Sequence, residues 1–259
     1  MTQTALITGA SSGIGAAFAR ALARRGDHLI LVARSKDKLE ALAASLRAEQ
    51  GATVSVIPAD LGLPECGRRL AAEVAGQGLS VDLLINNAGF GAAGAFATQD
   101  PVRDAEMIQL NVAAVVDLAH AFLPGMLERG HGGIVNVASV AGFQPMPQMA
   151  IYAATKAFVL SFSEALWVET RGRGVQVTAL CPGPVDTPFF EATGSPQLRK
   201  AVPKGLMMAA ETVAAQALAA LAAGRPVVVP GGANKLLSAV PRLLPRRWVA
   251  LASGLVMNR

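Results

Sequence analysis

Seven short runs of apolar, β-rich residues recur along the chain, at 4–8, 28–33, 53–57, 81–85, 133–138, 175–181 and 226–229. Between them lie stretches with helical apolar spacing, such as Ala17 to Arg25, Lys38 to Glu49 and Val213 to Ala222. Strands that are continuously apolar belong to a sheet covered on both faces, and strands alternating with helices make parallel crossovers. The pattern predicts one α/β domain, a doubly wound parallel sheet with helices on both faces. Its span is 1–230, because no repeat, low-complexity block or linker interrupts it. Beyond it, Pro230-Gly231-Gly232 breaks the rhythm, and Pro241 and Pro245 are expected to interrupt any helix that follows. Residues 231–259 are therefore read as a C-terminal appendage: a lid, an interface or a membrane-surface segment.

Composition excludes several classes. With 52% apolar and 16% charged residues the chain is too hydrophobic to be disordered. Uncharged stretches at 83–99 and 132–155 are long enough to cross a bilayer, but Gly, Asn, Pro and Gln interrupt them, so no transmembrane helix is predicted. The first residues carry neither a basic region nor a sustained apolar segment, so no signal peptide is expected. Cys66 and Cys181 match no zinc or CxxC spacing and read as small buried residues in a reducing compartment, with the cytoplasm as the expected location. The net charge of +5 comes from one end: 212–259 holds six basic and no acidic residues, whereas the first 211 hold 17 basic and 18 acidic. An excess confined to a tail, with one tyrosine and two tryptophans available for stacking, argues against nucleic-acid binding.

Three features carry chemistry. The first strand runs directly into Gly9-Ala-Ser-Ser-Gly13-Ile-Gly15 and then a helix, a turn in which backbone N–H groups and the helix N-terminus can receive a pyrophosphate. The spacing is GxxxGxG, with Phe18 where the GxGxxG fingerprint has its last small residue. The second strand ends at Ala33-Arg34, where such folds meet the adenosine ribose. An arginine there pairs with a 2′-phosphate and favours NADP over NAD, its plainer role being a solvated side chain at a strand end. Tyr152, the only tyrosine, lies four residues before Lys156, so both share a helix face. A neighbouring ammonium is expected to lower the phenol pKa towards a useful range.

Thr8-Gly-Ala-Ser-Ser-Gly-Ile-Gly15, Asp60, Asn86-Asn-Ala-Gly89, Asn111, Ser139, Tyr152-Ala-Ala-Thr-Lys156, Pro182-Gly183 and Thr187 resemble, in order and spacing, the motif set of the classical short-chain dehydrogenases/reductases over about residues 4–230. The resemblance implies a Rossmann-type fold, a nicotinamide cofactor and hydride exchange between that cofactor and an alcohol/carbonyl pair. It implies a catalytic set of Asn111, Ser139, Tyr152 and Lys156. Tyr152 would be the general acid/base and Lys156 would tune it and hold the nicotinamide ribose. Ser139 would bond the substrate oxygen, and Asn111 would position a water linking Lys156 to solvent. The implied cofactor contacts are Gly9, Ser11, Ser12, Gly13, Ile14, Gly15, Arg34, Asp60, Leu61, Asn87, Ala88, Gly89, Tyr152, Lys156, Pro182, Gly183, Val185 and Thr187, with Asn86 and Gly89 holding the central strand. No metal is expected.

By the same resemblance 188–204 forms a substrate lid, and Phe189, Phe190, Leu206, Met207 and Met208 make that region apolar. With Ser139, the two phenylalanines are the expected substrate contacts, which suits lipid-derived or alicyclic ketones better than sugars. The close Val229-Pro-Gly-Gly departs from the Val-Asp-Gly-Gly-like end of enzymes acting on carrier-bound ketones, so the substrate stays open. The leading expectation is an NADP-dependent oxidoreductase, assembled as a homodimer or homotetramer on the helices carrying Asn111 and Tyr152. The competing one is a catalytically silent NADP-binding sensor or scaffold. For the tail, contact with an anionic membrane surface competes with packing against the lid or a partner subunit.

Overall fold

In the computed structural model, which describes residues 2–257 except 196, 198, 200 and 201, the chain forms one seven-stranded parallel sheet. The strands are β1 (Thr4–Thr8), β2 (His28–Ala33), β3 (Val54–Pro58), β4 (Leu83–Asn86), β5 (Gly132–Val137), β6 (Val175–Leu180) and β7 (Val227–Val228), in the order β3-β2-β1-β4-β5-β6-β7. Alternate residues of each strand feed different cores. Ala5, Ile7, Leu29, Leu31 and Ile85 join one buried cluster, whereas Leu6, Ile30, Val32, Leu84 and Ile134 join another. Both faces are dry, which is why the strands read as continuous apolar runs.

The first face is covered by α1 (Gly13–Arg24), α2 (Lys36–Gln50) and, past a short α7 (Phe189–Ala192), by α8 (Ala210–Ala222). In α2, Leu39, Leu42, Ala43 and Leu46 recur at helical spacing and are buried, and Gly51 at φ 62° ends the helix. The second face is covered by α3 (Cys66–Gly76), α5 (Ala114–Arg129) and α6 (Ala150–Glu169). Helix α4 (Pro101–Ile108) starts with Pro101 at its first turn and Asp100 as cap, whose carboxylate accepts from the Val102 N–H at 3.0 Å. It continues through a π-helical turn, Gln109–Ala113, into α5. The run Pro101–Arg129 has a mean hydropathy of 1.5 in its most apolar window, enough by length and composition to cross a membrane. Here its residues Val115, Leu118, Phe122 and Met126 are buried within the fold.

The appendage differs from expectation. Residues 231–257 form two helices, α9 (Gly232–Leu243) and α10 (Arg246–Met257), and Pro241 lies inside the first. Proline costs a helix the N–H bond at its own position, and in the last turn of α9 only that single bond is forgone. Pro245 lies between the two helices and does separate them.

Candidate active site

The sheet order reverses between β1 and β4, and open α/β sheets bind their ligands outside the strand ends at that point. Four loops meet there. The glycine-rich turn after β1 is tied to the end of β2 by the Ala10 N–H, which donates to the Val32 carbonyl at 3.2 Å. Thr8 Oγ1 donates to the Ile85 carbonyl at 3.1 Å and accepts from the N–H groups of Asn87 (2.9 Å) and Ala88 (3.0 Å), so one hydroxyl clamps the turn to the loop after β4. Asn87 Nδ2 completes the clamp by donating to the Thr8 carbonyl at 2.8 Å. Thr8 stood in the motif but had no expected role of its own.

At Gly15 a Cβ would sit 2.3 Å from the Gly9 carbonyl oxygen, so the first turn of α1 approaches the preceding turn as closely as backbone allows. Gly9, at φ +64°, supplies the left-handed residue of the same turn. Ser12 precedes α1 with no side-chain cap, and the first turn carries no acidic residue, so its N–H groups face the cleft uncompensated. Thr187, from the loop after β6, leans over this turn: a Cβ on Gly13 would lie 3.1 Å from Thr187 Cγ2. Arg34 is exposed just past β2 and forms no ion pair among the described residues. Asp60 is exposed after β3, its carboxylate accepting from the Gly62 N–H at 2.9 Å, and Leu61 is buried beside it. This donor set of bare backbone, helix terminus and free guanidinium fits a phosphorylated dinucleotide.

Ser139 stands where β5 leaves the sheet, held by the Val140 N–H donating to the Pro182 carbonyl at 3.0 Å. Tyr152 and Lys156 lie on α6, both buried, as expected of a shared helix face. A Ser139 hydrogen bond reaches the Tyr152 hydroxyl and favours its anion, but burial outweighs it and pushes the phenol up to about 12. The phenol expected to be lowered is thus raised by its burial in the cofactor-free protein. Lys156 Nζ lies 5.8 Å from the ring centroid and donates to the Val137 carbonyl at 2.8 Å, and burial pulls the ammonium itself down to about 8. The phenol is thus held protonated at neutral pH.

Asn111 sits in the π turn, 1% exposed, and its side chain is spent on bracing the loop after β4. Nδ2 donates to the Phe90 carbonyl (2.9 Å) and to Thr155 Oγ1 (3.2 Å), and Oδ1 accepts from the Phe90 N–H (3.1 Å). Both amide protons being taken, the water expected of Asn111 has no side-chain donor. Asn86, expected to hold the central strand, does so through partners that were not anticipated: its Nδ2 donates to Asn136 Oδ1 at 2.9 Å, and Asn136 Nδ2 to Ser163 Oγ at 3.0 Å. This network ties β4 and β5 to α6, the helix that carries Tyr152 and Lys156.

Phe189 covers Tyr152, ring centroids 5.4 Å apart, and closes on Gly91, where a Cβ would lie 2.8 Å from it. Phe190 is buried and meets Phe189 edge-on at 6.1 Å, so it supports that ring. Around Tyr152 gather Phe90, Ala92, Met107, Met146 and Met149, an apolar enclosure. Met208 instead pairs with Val185 in an isolated bridge and packs on the main core, which removes it from the expected lid.

The buried Lys156 has a consequence for stability. Holding a charge whose pKa has fallen from 10.5 to about 8 destabilises the cofactor-free fold by about 3 kcal/mol below pH 8. That deficit closes as pH rises towards 10.5, because the unfolded chain then carries the extra proton. Lys156→Met removes it and leaves the Val137 carbonyl without its donor, a loss of about 1 kcal/mol. The variant should melt higher than wild type at pH 7, with the gap shrinking by pH 9.5. A variant less stable at pH 7, or a gap indifferent to pH, would refute the burial argument.

Comparison with known proteins gives a consistent set. The short chain dehydrogenase family model matches residues 3–197. A very-long-chain 3-oxoacyl-CoA reductase of Anas platyrhynchos is 36% identical over 211 residues, covering 80% of this chain and 67% of that protein. Among solved structures, a short-chain dehydrogenase from Sphingobium yanoikuyae in complex with NADPH is 37% identical, with a TM-score of 0.81 over 97% of this chain and 93% of that one. A bulky-bulky ketone specific alcohol dehydrogenase from Comamonas testosteroni is 36% identical, with a TM-score of 0.78 over 93% of both chains. A Burkholderia phymatum short chain dehydrogenase/reductase in complex with NAD is 33% identical, with a TM-score of 0.84 over 93% of this chain and 92% of that one.

Proposed function

The chain belongs to the short-chain dehydrogenase/reductase family of oxidoreductases, and from that premise we propose that it is an NADP-dependent reductase of bulky apolar ketones or aldehydes, running reversibly with the corresponding secondary alcohols. The observation that carries this reading is the Ser139–Tyr152 hydrogen bond inside an apolar enclosure, beside a glycine-rich cradle. Reduced nicotinamide, when bound, supplies a hydride. The chain's own residues handle the oxygen and the proton. Ser139 and Tyr152 both present hydroxyl groups to one carbonyl oxygen, stabilising the negative charge that develops on it. The Tyr152 hydroxyl, kept protonated by burial, passes its proton to that oxygen and yields the alcohol. Lys156, with its pKa near 8, is a ready source for the proton that Tyr152 has lost. An ammonium has three donors, and the Val137 carbonyl takes one, which leaves two for the nicotinamide ribose.

Arg34 supports NADP over NAD, since nothing among the described residues competes for its guanidinium. The apolar walls around Tyr152 support a hydrophobic substrate, and the bulky-ketone enzyme of Comamonas testosteroni is consistent with that class. Assembly is proposed to use the groove of about 470 Å³ between α5 and α6, lined by His120, Leu123, Phe162 and Arg173.

The test is oxidation of NADPH and NADH across ketones of graded size and polarity, with Arg34→Asp beside wild type. Wild type should prefer NADPH and larger apolar ketones. The variant should reverse the cofactor preference, because it repels the 2′-phosphate and offers an acceptor to the 2′-hydroxyl. Equal use of both cofactors by wild type would refute the role given to Arg34. Tight NADPH binding without turnover of any carbonyl would favour the silent sensor.

A further inference from the structure

Helices α9 and α10 are inverted relative to the helices of the core. In α9 the residues turned inward are polar, Asn234 at 4% exposure and Ser238 at 7%, four positions apart. On other faces of the same helix Leu236, Leu237, Val240 and Leu243 are exposed, Leu243 at 85%. The inversion continues in α10, where Trp248 (62%), Leu251 and Leu255 (73%) face outward while Val249 is buried. A soluble helix turns its apolar stripe to the core; this pair holds to the body by other means. Asn234 Nδ2 donates to the Pro230 carbonyl at 3.3 Å and fits against Gly183, where any Cβ would lie 2.5 Å from it. The outward leucines are therefore not waiting for a core of this chain.

We propose that α9 and α10 form a docking surface for an anionic lipid bilayer. Lys235, Arg246 and Arg247 are exposed beside the apolar side chains, and 212–259 contains no Asp or Glu. Apolar side chains with a tryptophan enter the headgroup boundary while the cations meet anionic lipid. A second copy of the chain fits less well, since a two-fold contact brings each patch against its own image and sets these cations against one another. The placement bears on substrate supply: α9 packs on the turn Val140–Phe143 and on Lys204–Leu206, and Gly254 lies close to Pro147 on the loop that leads to Tyr152. A hydrophobic ketone would thus reach the enclosure from the lipid side, a consequence that rests on the reductase reading. The surface itself does not rest on it, because vesicle binding needs no turnover.

The experiment is flotation of the full chain with vesicles of mixed phosphatidylglycerol and phosphatidylcholine, and with phosphatidylcholine alone. At low salt at least about tenfold more protein should float with the anionic vesicles, and about 1 M salt, which shortens screening to about 3 Å, should remove that excess. Leu243→Glu with Trp248→Glu should abolish flotation while NADPH binding and turnover of a small soluble ketone stay unchanged. If that pair disturbs folding, Arg246→Gln with Arg247→Gln reads the charge alone and should cut flotation several-fold. Flotation indifferent to anionic lipid, or unaffected in the variants, overturns the proposal. So does a wild type that never floats but elutes as a larger assembly than the glutamate variant, since the face is then a contact between copies.

Discussion

Tyr152→Phe should lower turnover by about 10²- to 10⁴-fold or more, the range lost when a general acid is removed, while NADPH affinity stays within about twofold. The substitution deletes one oxygen from a buried ring that packs against Phe189, and the ring and its packing remain. Because burial holds the phenol at about 12, the lost group is the protonated form that a carbonyl oxygen needs. Steady-state rates with the best ketone of the screen, together with NADPH titration by fluorescence, check both halves. A variant keeping a third of wild-type turnover would remove Tyr152 from the mechanism. One that lost NADPH binding would make it a cofactor contact first.

Gly15→Ala should weaken NADPH binding by at least about 10²-fold and lower stability by about 1–3 kcal/mol, the range for forcing an extra methyl group into a packed site. The added Cβ would lie 2.3 Å from the Gly9 carbonyl oxygen and 2.8 Å from its carbon. Those are main-chain atoms and cannot swing away like the end of a side chain. The first turn of α1 must back off, and with it the N–H groups proposed to receive the pyrophosphate. Gly76→Ala is the control, because nothing lies within 4 Å of a Cβ there. NADPH titration and thermal melts of both variants decide the matter, and unchanged affinity in Gly15→Ala would mean that the dinucleotide does not use this turn.

The strands were legible because each is predominantly apolar, and dryness on both faces is a property written residue by residue. Their ends were less so: β7 shrinks to Val227–Val228, at the sheet edge, where it pairs with β6. Helix α1 was expected from Ala17 and begins at Gly13, because glycines hide a helix start from any reading by propensity. What lets it start there is the seating of Gly15 against Gly9, which no local pattern records.

The sequence by itself determined the sheet, the glycine-rich turn after β1, the pairing of Tyr152 with Lys156 on one helix face and the cationic tail without Asp or Glu. These are matters of spacing and composition, visible within a few residues of one another. Tertiary structure decided the charge states and the directions. Burial raises the Tyr152 phenol and pulls the Lys156 ammonium down, and what buries them comes from residues distant in the chain. Asn111 spends its amide on Phe90, 21 positions away, and Asn86 reaches Asn136 across 50. The tail leucines face outward because Asn234 and Ser238 hold the inward side. Dielectric environment and the facing of a helix are set by whatever packs against a residue, and chain separation carries no information about that.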